Sequence, residues 1–460
     1  MRADFMIAKT IFGQLLTYDS FGNIQPGIFR SWLVNNEGLK YTFKIDPQST
    51  FHDGSHITIE DLIFTFHYLA SKDSLVSRYF ENISGFEDFS SGKTKQISGI
   101  TKINSETLEI LLSKKSFIFL AQLADPKIVL LPNNLKGKDE NIFFKNPIGA
   151  GSYKLKSISS DNKNLVLERF DNYLGDKSNI RLFELDVYEK DKAKYLFEKN
   201  ELEDLEVFIF DQKSIENLKK IGNPFSTSSF SINLLLINGR KNIFQNIAYR
   251  KELASAIDVE KMAKLCKNEI IPTYGIIPMG LLGWSNNREF QSSIKIKNLK
   301  SKLKHLRIIA YGNQPRKCVI DQIITGINQH SSFSATLDFL NENDIVKVFM
   351  AGEYDLLLED LSVRGPEPLN IFTFFDPSSP HNLTYFKDPK ISYMLSEIEG
   401  MVGAQRANAY SELSKYITSE QVYALPLFTD IRIFIFSKKV KAGDTPASIL
   451  GNTPFERVNL

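Results

Sequence analysis

Cysteine is scarce: Cys266 and Cys318 are the two in 460 residues. One pair is no disulfide framework for a chain this long, and no C-x-x-C spacing offers a zinc or dithiol site. Each falls in an apolar, helix-like stretch, so buried free thiols are expected, with a single bridge as the alternative. Long apolar runs are missing too. No stretch of about 18 apolar residues occurs, so no membrane-spanning helix is expected. Residues 1–16, MRADFMIAKTIFGQLL, carry Arg2, Asp4 and Lys9 and hold no apolar core followed by a small-residue cleavage site. No secretory signal peptide is therefore read in this chain. Charge of one sign is nearly absent: 56 basic against 54 acidic residues leave +2, and no global basic field points to nucleic acid. The densest basic run, Lys295, Lys297, Lys300, Lys302, Lys304 and Arg307, lacks interleaved aromatic rings and reads as a solvated connector.

Catalytic signatures are also missing. There is no G-x-S-x-G elbow and no kinase motif set. His52 and His56 have the spacing of two zinc ligands on a helix, but Asp53-Gly54 between them breaks a helix and no glutamate follows His52 directly. Both are expected as surface-loop histidines, and no metal or cofactor is expected. The carboxylate pairs Glu60/Asp61 and Glu359/Asp360 are sequence neighbours, and the first pair suits the positive end of a helix dipole. No internal repeat or low-complexity linker divides the chain.

What is present is enough length for two or three domains and one densely organised stretch, residues 41–69, YTFKIDPQSTFHDGSHITIEDLIFTFHYL. Tyr41, Phe43 and Ile45 alternate with polar residues, the period of a half-buried strand. Asp53-Gly54 is a turn dipeptide. Thr58 with Asp61 three residues later has capping-box spacing, and Leu62, Ile63, Phe66, Leu69 and Ala70 form one apolar helical face. In the second half, strands predicted at 306–311, 334–340 and 354–359 alternate with helices at 315–329 and 343–351, which argues for an α/β lobe.

Residues 41–69 resemble the signature region of the family 5 extracellular solute-binding proteins, in which a strand ending YTF-x-I precedes F-x-D-G-x-x-(I/L)-T-x-x-D-(L/V)-x-F. Four more segments resemble the family in chain order. These are NPIGAGSYKL at 146–155, the stretch 243–267, which reads as one long helix and holds Arg250, Ala256, Ile257 and Asp258, residues 382–389, and YALPLF at 423–428. A strand rather than a helix follows Gly149-Ala150-Gly151, so the glycines suit a tight backbone crossing and not a phosphate loop. The resemblance runs from about residue 8 to about 458. It implies an α/β, two-lobed, periplasmic-binding-protein-like fold (type II, cluster C) with an extra α+β subdomain. Lobe 1 would comprise 1–237 plus 430–460, with the subdomain at about 45–148, and lobe 2 would comprise 238–429. The chain would cross between lobes near 233–238 and near 426–433.

The same resemblance implies a receptor and not an enzyme: a monomer that takes peptide or a related small solute in a hinged cleft and delivers it to ABC transporter permease subunits, in the periplasm or at the cell surface. Peptide-binding members carry W-x-x-D-Y-x-(D/E)-P, with the Asp on the peptide ammonium. Aligned on Pro368, this chain has Arg364 at that position and Leu361 at the Trp. An arginine there suits a carboxylate or phosphate and repels an ammonium. Either Arg364 binds an anionic group, or Asp360 or Glu367 supplies the negative charge, or Arg364 is a surface loop residue. Ser362, Asn382, Tyr385, Phe12 and Phe230 complete the candidate ligand contacts, with core packing the alternative for the aromatics. A degenerate member without ligand binding and, from another class, a soluble α/β hydrolase remain alternatives.

Overall fold

The computed structural model describes residues 2–19, 23–72, 76–206, 212–228, 230–267, 269–285, 304–311, 316–363, 365, 367–442 and 458–459. By internal contacts the chain forms two compact units, Met1–Ser226 with Ile433–Leu460, and Thr227–Arg432. Arg364 and Lys295, Lys297, Lys300 and Lys302 lie outside the described residues.

The first unit is built around the helix Ile59–Ala70. Thr58 and Asp61 close the capping box that the sequence predicts: Asp61 Oδ2 accepts from the Thr58 backbone N–H at 2.7 Å, and Asp61 Oδ1 takes the Asn133 N–H at 2.6 Å. Leu62, Phe66 and Ala70 face a core that includes Phe29, Tyr41 and Phe43. These come from an antiparallel sheet ordered Phe29–Val34, Lys40–Ile45, Thr107–Leu111, Ile100–Lys102. Phe64 and Tyr68 pack against a second core with Phe12, Phe143 and Tyr153. One helix thus serves two cores. Each fully buried large side chain among these contributes about 2 kcal/mol.

The two motifs that carry the first-half resemblance lock together. The His52 N–H donates to the Gly149 carbonyl at 2.8 Å. Its ring accepts the Gly149 N–H on Nδ1 at 3.4 Å and meets the Gly151 carbonyl through Nε2 at 3.0 Å. Only the neutral tautomer with the proton on Nε2 satisfies both, because a protonated Nδ1 would face a second donor. His52 is therefore an interior clamp and not the surface-loop histidine expected. Burial pulls its pKa down to about 4, with the Gly151 hydrogen bond opposing. The unfolded chain takes up this proton near the ordinary value of 6.5, the folded chain only near 4. Stability from this group is thus whole above pH 6.5 and is lost as pH falls toward 4. Urea unfolding at pH 7 and 4.5 should show wild type losing roughly 2 to 3 kcal/mol more than His52→Gln; equal losses would contradict the clamp.

In the second unit, strands Lys304–Ala310 and Phe333–Phe339 run parallel in register, and Lys304–Ala310 also pairs parallel with Leu356–Ser362. The connecting helices are Lys317–His330 and Glu342–Ala351. Antiparallel to Leu356–Ser362 lies Ser231–Ile237, which is almost wholly buried, as a strand covered on both faces should be. Ser231–Ile237 pairs in turn with the first part of Ala424–Ser437. That strand carries the chain across the unit boundary at Ile433. The other crossing follows Ser226. On one side of the boundary Gly222 lies against Ile435 and Phe436, and on the other Asn233 pairs with Phe428.

Three expectations are corrected. Cys266 and Cys318 are a disulfide with Cα atoms 5.5 Å apart, not free thiols. The helix predicted over 243–267 breaks: Ile257 is extended, and Asp258 caps a new helix, Val259–Leu265, by accepting from Lys261 N–H. Residues 128–132, IVLLP, which read as a strand from the sequence, make only an isolated bridge, Gln14 to Val129.

Candidate functional site at a sheet edge

In an open α/β sheet, ligands sit beyond the carboxyl ends of parallel strands, where chain connections diverge. Among the described residues the second unit has one such point. After Lys304–Ala310 the chain turns to Phe333–Phe339 on one side; after Leu356–Ser362 it leaves toward Ala424–Ser437 on the other. Between these two divergent ends the Tyr311 hydroxyl donates to Glu359 Oε1 at 3.0 Å. The last paired residues of these two strands, Ile309 and Leu357, lie two positions before Tyr311 and Glu359 respectively. Burial raises the Glu359 carboxyl to about 7, with the neighbouring Asp360 charge adding and the Tyr311 hydrogen bond opposing.

Asp360 is exposed and points to the face opposite Glu359, since successive residues alternate along a strand. Its register partner is Asn233, whose amide donates to Asp430 Oδ2 at 3.2 Å. Asp430 pairs with Arg316, which stands at the N-cap of Lys317–His330 and also reaches Glu269 at 3.5 Å. Among the described residues, Glu359, Asp360, Asp430, Glu269 and Arg316 thus lie around this part of the sheet.

Of the sequence-predicted contacts, Phe230 and Ser362 come together here. Val363 N–H donates to the Phe230 carbonyl at 2.8 Å, and Ser231 and Ser362 are register partners. Ser362 is exposed, while Phe230 packs partly against the core. Arg364, two residues on, lies outside the described residues. Asn382 and Tyr385 are elsewhere. The Gly239 N–H donates to the Thr384 carbonyl at 2.7 Å, which puts them at the far end of Ser231–Ile237, about 20 Å away at roughly 3.3 Å per residue. Asn382 Oδ1 accepts from Thr384 and Tyr385 N–H groups, both at 2.9 Å. These bonds shape the turn in which Tyr385 has φ 58°. The Tyr385 ring lies 3.6 Å from the Arg240 guanidinium and packs on Phe349. Phe12 is 8% exposed, in the first unit, against Phe143 and Phe144.

Of the alternative negative charges, Glu367 is enclosed and ion-paired to Arg406 at 3.3 Å, whereas Asp360 is presented at the edge. The Tyr311–Glu359 contact was not legible in the sequence. Its only signal was a tyrosine closing one apolar strand and a carboxylate pair closing another.

The family model for bacterial extracellular solute-binding proteins, family 5 Middle, matches residues 23–379. The chain belongs to the family 5 solute-binding proteins. Among curated family 5 relatives, the periplasmic oligopeptide-binding protein OppA of Salmonella typhimurium is 23% identical over 288 residues, 59% of this chain and 52% of that protein. The dipeptide-binding protein of Escherichia coli is 22% identical over 281 residues, 57% of this chain and 51% of that protein. The matched part of the chain thus spans about half the length of these relatives. Among solved structures, Haemophilus influenzae OppA in complex with RPPGFSPFR superposes with a TM-score of 0.77 at 18% identity, covering 99% of this chain and 93% of that one. This likeness gives the fold, α/β and two-lobed. The family match takes in both interlocked motifs around His52 and Gly149 and the edge at Glu359.

Proposed function

We propose that this family 5 protein is the substrate-binding receptor of an ABC importer, taking up peptide or a related small solute by hinged closure and delivering it to permease subunits. It would work as a monomer outside the cytoplasmic membrane, by binding and not by catalysis, and without nucleic acid. Family membership carries the reading. The division into two units, between which the chain crosses twice, supports the hinge, and the bridge Cys266–Cys318 suits an oxidising compartment.

On this reading the sheet edge supplies the second unit's share of the ligand contacts. Asp360 would meet an ammonium and Arg364 a carboxylate, with Ser362 and Phe230 beside them. Opposite charges four residues apart in sequence suit a zwitterionic solute. Peptide titration followed by calorimetry and thermal melting tests this. Bound peptide should raise the melting temperature, and Arg364→Ala and Asp360→Asn should each weaken binding more than about tenfold, as loss of a charge-assisted contact does. Unchanged affinity in both variants would remove the edge from the site. If neither peptides nor anionic solutes raise the melting temperature of wild type, the receptor reading fails in favour of a member that has lost ligand binding.

A further inference from the structure

Asn233, in the sheet of the second unit, holds an acceptor that none of the contacts above uses. The residue stands between two acidic neighbours. Its partner on Leu356–Ser362 is Asp360, and opposed residues of an antiparallel pair share a face, with Cβ atoms about 5 Å apart. Its partner on Ala424–Ser437 is Phe428, two residues before Asp430, so Asp430 lies on that face as well. The Asn233 amide gives its Nδ2 to Asp430 Oδ2 at 3.2 Å. A carboxylate only accepts, so this contact decides which branch of the amide is nitrogen. Oδ1 is left on the other branch. Among the described residues nothing donates to it, and it is not enclosed.

Asp430 is itself held in a closed ring of contacts. Arg316 Nη1 donates to Asp430 Oδ1. Arg316 is the N-cap of Lys317–His330, and its carbonyl accepts the Val319 and Ile320 N–H groups at 2.9 and 3.1 Å. Cys318, two residues on, is bridged to Cys266. The Cys266 carbonyl accepts the Glu269 N–H at 3.0 Å, and the Glu269 carboxylate returns to Arg316 at 3.5 Å. The Glu269 carbonyl accepts the Ile431 N–H at 3.3 Å. The backbone on both sides of the Arg316–Asp430 pair is thus tied down.

We infer that Arg316 and Asp430 are positioning residues for Asn233: they orient its carboxamide and leave Oδ1 to accept from an N–H group of the solute next to Asp360. The ligand contact rests on the receptor reading; the orientation of the amide does not.

Asp430→Asn is the isosteric test. Arg316 takes the oxygen of the new amide, which turns its nitrogen toward Asn233 and inverts the Asn233 amide, Oδ1 inward and Nδ2 outward. With nitrogen-15 in asparagine, the Asn233 side-chain NH2 signals are assigned by their absence in Asn233→Ala. They should exchange with water about tenfold faster in Asp430→Asn than in wild type, as a group released from a charge-assisted bond does. Peptide affinity should fall about tenfold in Asp430→Asn and Arg316→Met and recover in Arg316→Lys, which keeps the cation. Equal NH2 exchange in wild type and Asp430→Asn would overturn the orientation. Unchanged affinity in Asp430→Asn and Asn233→Ala would overturn the ligand contact, and a lowered melting temperature with that affinity would make the pair structural only. A wild type that binds no peptide removes the receptor reading and the contact with it, while the exchange rates still decide the orientation. If Asp430→Asn does not fold, Arg316→Met decides by the same measurement: faster NH2 exchange supports the orientation and unchanged exchange overturns it.

Discussion

Gly151→Ala is expected to cost more than about 4 kcal/mol, the range of severe overpacking against backbone. A Cβ at Gly151 would lie 2.0 Å from the Thr10 carbonyl oxygen, and one at Gly149 would lie 2.0 Å from that of Ile11. Neither neighbour is a side chain that can swing away. The close approach exists because the Ala150 and Gly151 N–H groups donate to the Phe12 and Ile11 carbonyls at 3.1 and 2.8 Å. Separating the end of the helix Arg2–Phe12 from residues 149–151 to admit a methyl would break these bonds and the His52 clamp together. Gly54 is the control. It has φ +84° with nothing within 4 Å of the added Cβ, so Gly54→Ala should cost only about 1 to 2 kcal/mol, the backbone term alone. Urea unfolding of the two variants separates the causes. Similar losses would mean that the glycine-rich segment is an ordinary turn.

The second large effect concerns the bridge. Cys266 and Cys318 are 52 residues apart in sequence, and closing a loop of that length restricts the unfolded chain by about 4 kcal/mol. The bridge ties the end of Val259–Leu265 to Lys317–His330. Reduction, or replacement of both cysteines by serine, should lower the melting temperature of the second unit by about 10 °C. Calorimetry with and without a phosphine reductant reads this, alongside a thiol assay on denatured protein. Two titrating thiols in protein made in an oxidising compartment, or an unchanged melting temperature on reduction, would contradict it.

Local rules reached far into this fold because much of it obeys them. The Thr58–Asp61 cap, the apolar face of Ile59–Ala70 and the strand–helix alternation of the second unit are set within a few residues, so spacing alone places them. What escaped depends on contacts between distant residues. His52 looked like a loop histidine because its partners lie 97 and 99 positions away. The cysteine pair looked unpaired because proximity in space, not spacing, decides a bridge. The long helix over 243–267 failed at Asp258 because a capping residue inside a periodic pattern outweighs the pattern. For the candidate site, the family resemblance pointed to the strand Leu356–Ser362 and to Ser362 and Phe230, which the fold brings together at its end. It also gathered Asn382 and Tyr385, which the strand's length separates from them. The bulge at Arg30, where Phe29 pairs with Ile45 and Ser31 with Lys44, left no trace in the sequence, because register is a property of two strands and not of one.

The receptor reading is tested most directly by native mass spectrometry of the purified protein mixed with a defined pool of short peptides. The expected result is one peptide bound per chain, with occupancy reduced in Arg364→Ala and Asp360→Asn while His52→Gln at neutral pH still binds. A spectrum showing only unliganded protein across the pool, at concentrations where the folded state is intact, would contradict it.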